Sequence, residues 1–255
     1  MANYSDFKRL YGLIGYPLGH SFSQNFFNQK FESEKIDARY VNFEISSIDL
    51  LVQVLERNPN LAGFNITIPY KEKIFDYLDA VDPEARAIGA VNVVKVFRQP
   101  DGSRSLKGYN SDSIGFWDSL RPMLTSGVHT KALVLGTGGA SKAVAHALEN
   151  NGIAVKKVSR TAAPGVLTYD GLTPDVIRDY KIIVNTTPVG MYPHVDECPR
   201  IPYDGLTTEH ICYDLLYNPD TTLFMKKSAE AGASVKNGLE MLLLQAFVSW
   251  NIWKK

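Results

Sequence analysis

Apolar and polar positions along this chain follow two rhythms in turn. Residues 10–15 (LYGLIG) form a short apolar run that stops at Gly-Tyr-Pro, which predicts a strand and a turn. Over residues 23–34 the period lengthens. Phe22 and Phe26, and likewise Phe27 and Phe31, stand four apart and share one side of a helix. Residues 38–45 predict a strand, 46–57 a helix, and 61–67 a strand stopped by Pro69. A short helix near 73–78 follows. Pro83 opens another, at a position where its missing N–H costs little. Residues 90–97 and 103–109 predict a hairpin around Pro100, Asp101 and Gly102, and 113–125 a helix.

A second series begins near Lys131. It has strands at 132–135, 153–158, 181–184, 211–215 and 234–235, and helices at 139–150, 174–180 and 221–231. Strands that alternate with helices predict a parallel, doubly wound α/β sheet. The last helix, 238–252, carries a stripe of Leu239, Leu242, Leu243, Ala246, Phe247 and Trp250. A second stripe, Met241, Gln245, Val248 and Ile252, is also mostly apolar, so the helix is expected to be covered on most sides. Gln245 then needs partners, because a buried amide must be hydrogen-bonded; a backbone group is the plain choice.

Composition narrows the function classes. At 255 residues the chain makes one large domain or two small ones, and with 45% apolar residues it can bury a core unaided. Lys+Arg and Asp+Glu both number 27, which argues against a surface-wide nucleic-acid binder. Residues 119–169 nevertheless hold six Lys/Arg against one acid, so the neutral total hides a cationic stretch. Cys198 and Cys212 stand 14 apart without a CxxC, which predicts reduced thiols and a cytoplasmic setting. The opening residues lack the apolar core of a signal peptide, and the greasiest segment, 239–253, is broken by polar residues. No membrane partner is expected. The five histidines are scattered, and no metal site is expected.

The strongest local signal is KALVLGTGGASKAVAHAL, residues 131–148. A strand runs into Gly136, Thr137, Gly138, Gly139, Ala140 and Ser141 and then into a helix. Gly136 suits a tight turn, Gly138 lets backbone approach a pyrophosphate, and the helix N-terminus offers free N–H groups. The following strand ends at Ser159, Arg160 and Thr161, with no acid to bond a ribose 2′-hydroxyl. A guanidinium there suits a 2′-phosphate, so the expected cofactor is NADP. In the first half, polar clusters stand at strand ends: GYPLGHSFS (15–23), NITIPYK (65–71), GAVN (89–92) and GYNSD (108–112). Ligands of open α/β sheets gather at such ends, and hydroxyls, amides, one lysine and one aspartate suit a small polyhydroxylated anion.

These segments, with SRT, NTTPVGM, YDLLYNPDTTLF and NGLEMLLLQAF, occur in one order over essentially the whole chain, which in this respect resembles the shikimate dehydrogenase family. The resemblance implies an N-terminal α/β substrate domain (1–113 plus 236–255) and a Rossmann-like NADP-binding domain (114–235), with the C-terminal helix returning to the first. It implies NADP-dependent reduction of 3-dehydroshikimate to shikimate, in aromatic amino-acid biosynthesis. By position, Lys71 and Asp112 become the acid/base pair. Ser21, Ser23, Asn65, Thr67, Asn92, Tyr217 and Gln245 hold substrate. Gly136, Thr137, Gly138, Gly139, Ala140, Ser141, Ser159, Arg160, Thr161, Leu215, Gly238 and Met241 line the cofactor. The family comprises monomers and homodimers. The chain departs from the family pattern at Gln24, Phe27, Ser111 and Ser159. A quinate/shikimate dehydrogenase of broader choice, or a non-catalytic NADP-binding regulator of the same fold, are the alternatives.

Overall fold

The computed structural model describes Tyr4, residues 6–19 and residues 21–255; His20, inside the first polar cluster, lies outside the described residues. The chain divides into two compact units, Met1–Ser111 with Ala246–Lys255, and Asp112–Gln245. Each carries a six-stranded sheet.

The first unit contains β1 (Arg9–Gly15), α1 (Phe22–Ser33), β2 (Ala38–Glu44), α2 (Leu51–Arg57), β3 (Leu61–Ile66), β4 (Ala80–Val81), α3 (Pro83–Ile88), β5 (Val93–Arg98) and β6 (Arg104–Tyr109). Its strand order is β2-β1-β3-β5-β6-β4. β1 runs parallel to β2 and β3, while β5 is antiparallel to both β3 and β6. The hairpin predicted from the turn at Pro100–Gly102 therefore makes this sheet mixed. Both faces are apolar, as strand residues of alternating direction require. Leu10, Ile14, Phe64, Ile66, Val94 and Val96 bury one face. Tyr11, Tyr40 and Val93 bury the other against Phe27 and Phe31 of α1. Phe27 stacks on Tyr40 at 4.8 Å between centroids, a contact worth about 0.5–1.5 kcal/mol beyond its burial.

The second unit contains α4 (Asp112–Leu120), β7 (Lys131–Leu135), α5 (Gly139–Asn150), β8 (Ala154–Ser159), β9 (Leu167–Thr168), α6 (Pro174–Asp179), β10 (Ile182–Asn185), β11 (Ile211–Asp214), α7 (Leu223–Glu230) and β12 (Ser234–Lys236), and the start of α8 (Leu239–Lys254). All pairings are parallel in the order β12-β11-β10-β7-β8-β9. The chain leaves β7 toward β8 and later returns on β7's other side to lay down β10. That reversal is the switch point beside which open α/β sheets bind ligands.

Several expectations are corrected. The helix predicted over 113–125 ends at Leu120 and tightens into a 3-10 turn at Arg121–Met123, where Pro122 lacks the N–H a continuing helix needs. β4 and β9 escaped the pattern because two residues show no period. On α8 the inward face is Met241, Gln245, Ala246, Ser249, Trp250 and Trp253, while Leu239 and Phe247 of the predicted stripe are 38% and 46% exposed. Two stripes of similar character compete on this helix, and periodicity does not choose between them. α8 also straddles the two units. Met241 packs with Phe116 and Leu120, and a Cβ on Gly115 would stand 2.9 Å from both the Met241 carbonyl oxygen and the Gln245 nitrogen. Trp250 and Trp253 pack with Tyr11 instead. The boundary thus falls after Gln245 rather than before Lys236, and the earlier one after Ser111. Among the described residues no helix is long and apolar enough to cross a membrane.

Candidate active site

In the first unit the polar clusters stand at the carboxyl ends of β1, β3 and β6. Ser21 is the N-cap of α1, its hydroxyl accepting from the Gln24 N–H at 3.3 Å. Ser23, the second residue of the helix, is buried and bonds the Tyr40 phenol. Burial pushes that phenol well above its ordinary pKa, so it remains a hydrogen-bond donor. It donates to Asn65 Oδ1 at 2.8 Å. Asn65 Nδ2 donates to the Asn92 carbonyl at 3.2 Å and to Ser249 Oγ at 3.1 Å. Asn92 accepts on Oδ1 from the Ser111 N–H at 2.7 Å and donates from Nδ2 to Ser111 Oγ at 3.0 Å. Ser111 Oγ and Ser249 Oγ are 3.2 Å apart. Ser23, Asn65 and Asn92 are therefore brought into one buried array, closed by Tyr40, Ser111 and Ser249. A fully satisfied network of this kind fixes each member's orientation.

Thr67 follows β3 and packs its methyl group where a Cβ on Gly15 would stand, so glycine is required at the end of β1. The turn it starts is closed by the Tyr70 N–H on the Thr67 carbonyl at 2.9 Å. Lys71 is half-buried, and its carbonyl accepts from the Val91 N–H at 2.8 Å, one residue before Asn92. Asn65, a substrate residue by its place in the sequence, also braces its neighbours. Both amide hydrogens are engaged inside the protein, which makes it a scaffold for Asn92.

In the second unit Asp112 opens α4 and is buried. Gly136 adopts φ +115°, which side chains avoid, and a Cβ there would lie 2.7 Å from Thr186 Oγ1 and 3.2 Å from Thr187 Cγ2. Gly138 caps α5 with no side-chain hydrogen bond, and nothing lies within 4 Å of where its Cβ would be. Thr137 beside it is exposed, and Gly139 and Ala140 form the first turn of α5. A backbone cradle over an uncapped helix N-terminus suits a pyrophosphate. Ser141 turns inward: its hydroxyl donates to the Gly136 carbonyl at 2.7 Å and shapes the turn. Ser159 ends β8 and accepts from the Thr161 N–H at 3.2 Å, leaving Arg160 exposed between them. The residues present fit a dinucleotide that carries a 2′-phosphate.

Leu215 and Gly238 lie closely against each other. The Gly238 N–H donates to the Leu216 carbonyl at 2.9 Å, and a Cβ on Gly238 would overlap the Leu215 carbonyl oxygen. Met241 is buried in the core of this unit. Tyr217 is partly exposed, with its phenol raised by burial. Gln245 is buried and donates to the Leu242 carbonyl at 2.9 Å, the backbone partner its pattern allowed. Sequence reasoning gave no role to Tyr40, Thr186, Thr187, Asp214 or Ser249. A charged residue that closes the apolar run ICYD, and the hydroxyls of NTTPVGM, were the available signals.

Residues 13–94 match the family model described as the shikimate dehydrogenase substrate binding domain. The chain is 38% identical to a shikimate dehydrogenase (NADP(+)) of Methanococcus maripaludis, over 96% of this chain and 91% of that one. Its fold is similar to the shikimate dehydrogenase crystal structure from Aquifex aeolicus, with a TM-score of 0.84 and 35% identity over 99% of this chain and 94% of the other. It is also similar to the Thermus thermophilus enzyme in complex with NADP(H) and shikimate, with a TM-score of 0.81 and 31% identity over 96% and 93%. With that identity along nearly its full length, and with a glycine cradle and an exposed arginine at the two points a dinucleotide phosphate would need, the chain belongs to the shikimate dehydrogenase family.

Proposed function

We propose that this chain is an NADP-dependent oxidoreductase that interconverts 3-dehydroshikimate and shikimate. The observation that carries this reading is the combination of Arg160 with the Gly136 turn in a chain 38% identical, over 96% of its length, to an NADP-dependent relative. When bound, NADPH supplies the hydride for the keto carbon. The backbone of Gly136, Thr137, Gly138, Gly139 and Ala140 receives the pyrophosphate. Ser159, Arg160 and Thr161 would receive the 2′-phosphate, and Leu215, Gly238 and Met241 would line the rest of the cofactor. As the ketone is reduced, negative charge develops on its oxygen, and a positioned acid must protonate it.

Lys71 donates that proton from Nζ and takes it back in the reverse direction. Asp112 orients the ammonium group and a substrate hydroxyl. Ser21 and Ser23 donate hydroxyl protons to the substrate carboxylate. Thr67, Asn92, Tyr217 and Gln245 bond the remaining polar atoms, with Asn65 holding Asn92 in place. The two free cysteines suit a reducing compartment, and the enzyme works in the cytoplasm as a monomer or homodimer. The test is to follow NADPH absorbance with purified protein, shikimate and NADP+, with quinate and NAD+ as parallel substrates. Rapid NADPH formation with shikimate is expected. No oxidation of shikimate, with metabolite-dependent binding to another protein instead, would overturn the reading in favour of a regulator.

A further inference from the structure

Asp214 ends β11 and is wholly buried, and the proposed mechanism gives it no part. Its carboxylate gathers three donors from three separate segments. Asn185 Nδ2, at the end of β10, donates to Oδ1 at 3.0 Å; the Leu216 N–H donates to the same oxygen at 3.1 Å; and the Thr222 hydroxyl donates to Oδ2 at 2.7 Å. None of the three is a cation. Burial pushes the carboxyl group up to about 6, against the pull of these hydrogen bonds. An ionised carboxylate here costs stability that a neutral side chain would not, so stability does not explain its presence.

Two paths lead outward. Asn185 Oδ1 accepts from the Thr187 N–H at 3.1 Å and from its hydroxyl at 2.6 Å. Thr187 Cγ2 and Thr186 Oγ1 form the wall that any Cβ on Gly136 would strike. On the other side, the Leu216 carbonyl accepts from the Gly238 N–H at 2.9 Å, and the Leu215 carbonyl lies against the Gly238 Cα. We propose that Asp214 is a positioning residue of the cofactor site, holding residues 185–187 against Gly136 and residues 215–216 against Gly238. It acts through those segments. The inference rests on the NADP reading above and deepens it.

Asp214→Asn tests it. The amide keeps the shape but turns one acceptor oxygen into a donor: beside Asn185 Nδ2 and the Leu216 N–H it would face donors only, and beside the Thr222 hydroxyl it would force that hydroxyl to turn from donor to acceptor. Removing the buried charge offsets the loss of a hydrogen bond, so the variant is expected to fold. The readout is NADP+ affinity by isothermal titration calorimetry, beside the KM for shikimate and the melting temperature. We expect the NADP+ Kd to weaken at least tenfold, with the shikimate KM within twofold and Tm within a few degrees. A purely structural role would move Tm and leave the Kd in place. The exchange variant Asn185→Asp with Asp214→Asn restores a donor–acceptor pair and should recover most of the lost affinity.

Should Asp214→Asn fail to fold, Thr222→Val removes the donor to Oδ2 together with the hydroxyl that caps α7 at the Met225 N–H, and it carries the test with Tm read beside the Kd. A Kd weakened threefold or more supports the proposal. A folded Asp214→Asn or Thr222→Val protein with unchanged NADP+ affinity overturns it. Wild-type protein that binds no NADP+ overturns the functional reading itself, an outcome distinct from the failure of this proposal.

Discussion

Gly238→Ala offers the sharpest measurement of how closely the proposed cofactor wall is built. A Cβ at this position would stand 2.6 Å from the Leu215 carbonyl carbon, besides overlapping its oxygen. Carbon atoms rest at about 3.5 Å or more, so residue 215 must retreat by about 1 Å. The retreat is opposed by two backbone bonds, Leu215 N–H to the Asn185 carbonyl and Gly238 N–H to the Leu216 carbonyl, each 2.9 Å. A misplacement of about 1 Å near reacting groups costs on the order of 10²-fold in rate, or roughly 2.7 kcal/mol of barrier. Overpacking adds about 1–3 kcal/mol of lost stability, which in a chain of this size lowers Tm by about 5 °C. The assay is NADPH absorbance with NADP+ varied at saturating shikimate, beside a thermal melt. The kcat/KM for NADP+ should fall about 100-fold. A Gly238→Ala enzyme within twofold of wild type would refute the claim that residues 215 and 238 form a rigid wall.

Other outcomes are equally definite. Lys71→Ala should lower kcat by about 10²–10⁴-fold and leave shikimate affinity within about threefold; near wild-type turnover would remove Lys71 from the acid–base role. Arg160→Ala should raise the KM for NADP+ at least tenfold and leave the KM for NAD+ nearly unchanged. Equal losses for both cofactors would contradict the 2′-phosphate assignment. Ser249→Ala deprives the buried Asn65 amide of an acceptor at 3.1 Å, at a cost of about 1–3 kcal/mol, and a Tm within 1 °C of wild type would show that the array contributes little. Stability should also depend on pH in two opposed ways. His210 is buried with its pKa lowered by desolvation, so below pH 6.5 the unfolded chain takes up a proton that the folded one refuses, and stability falls with pH. Asp214, at about 6 when folded and 3.8 unfolded, takes up its proton first in the folded state and offsets that loss between pH 6 and 4, by roughly 3 kcal/mol in full. Thermal melts from pH 7 to 4 should therefore show a steeper decline for Asp214→Asn than for wild type, and parallel curves would contradict the Asp214 assignment.

Much of this was legible before any coordinates. The strand runs ending at Gly15, Ile66 and Leu135 carried their turn signals with them, and α5 spans residues 139–150 as its pattern predicted. The Gly136 turn was readable because a backbone forced to positive φ leaves a glycine in the sequence. Arg160 was readable because the strand before it has a fixed length and so places one residue at its tip. The array of Tyr40, Asn65, Ser111 and Ser249 was not readable. Directly bonded members lie up to 184 positions apart, and no local pattern records which polar side chains meet. The phase of α8 was lost for a related reason. Two apolar stripes compete on that helix, and only packing against Tyr11 and Phe31 settles which turns inward.

The sequence by itself determined the alternation of strands and helices, the hairpin that makes the first sheet mixed, the phosphate turn and the family. These are local properties: periodicity, turn chemistry and short ordered motifs arise from neighbours along the chain. The tertiary structure alone decided which polar residues are free to face a ligand and which are engaged in holding others. Asn65 and Ser141, candidate site residues by sequence, are engaged in this second way too, and so is Asp214, with no sequence role at all. The physical reason is that a buried polar group must find its partners wherever the fold brings them. Partnership across long sequence separations is a property of packing, not of pattern.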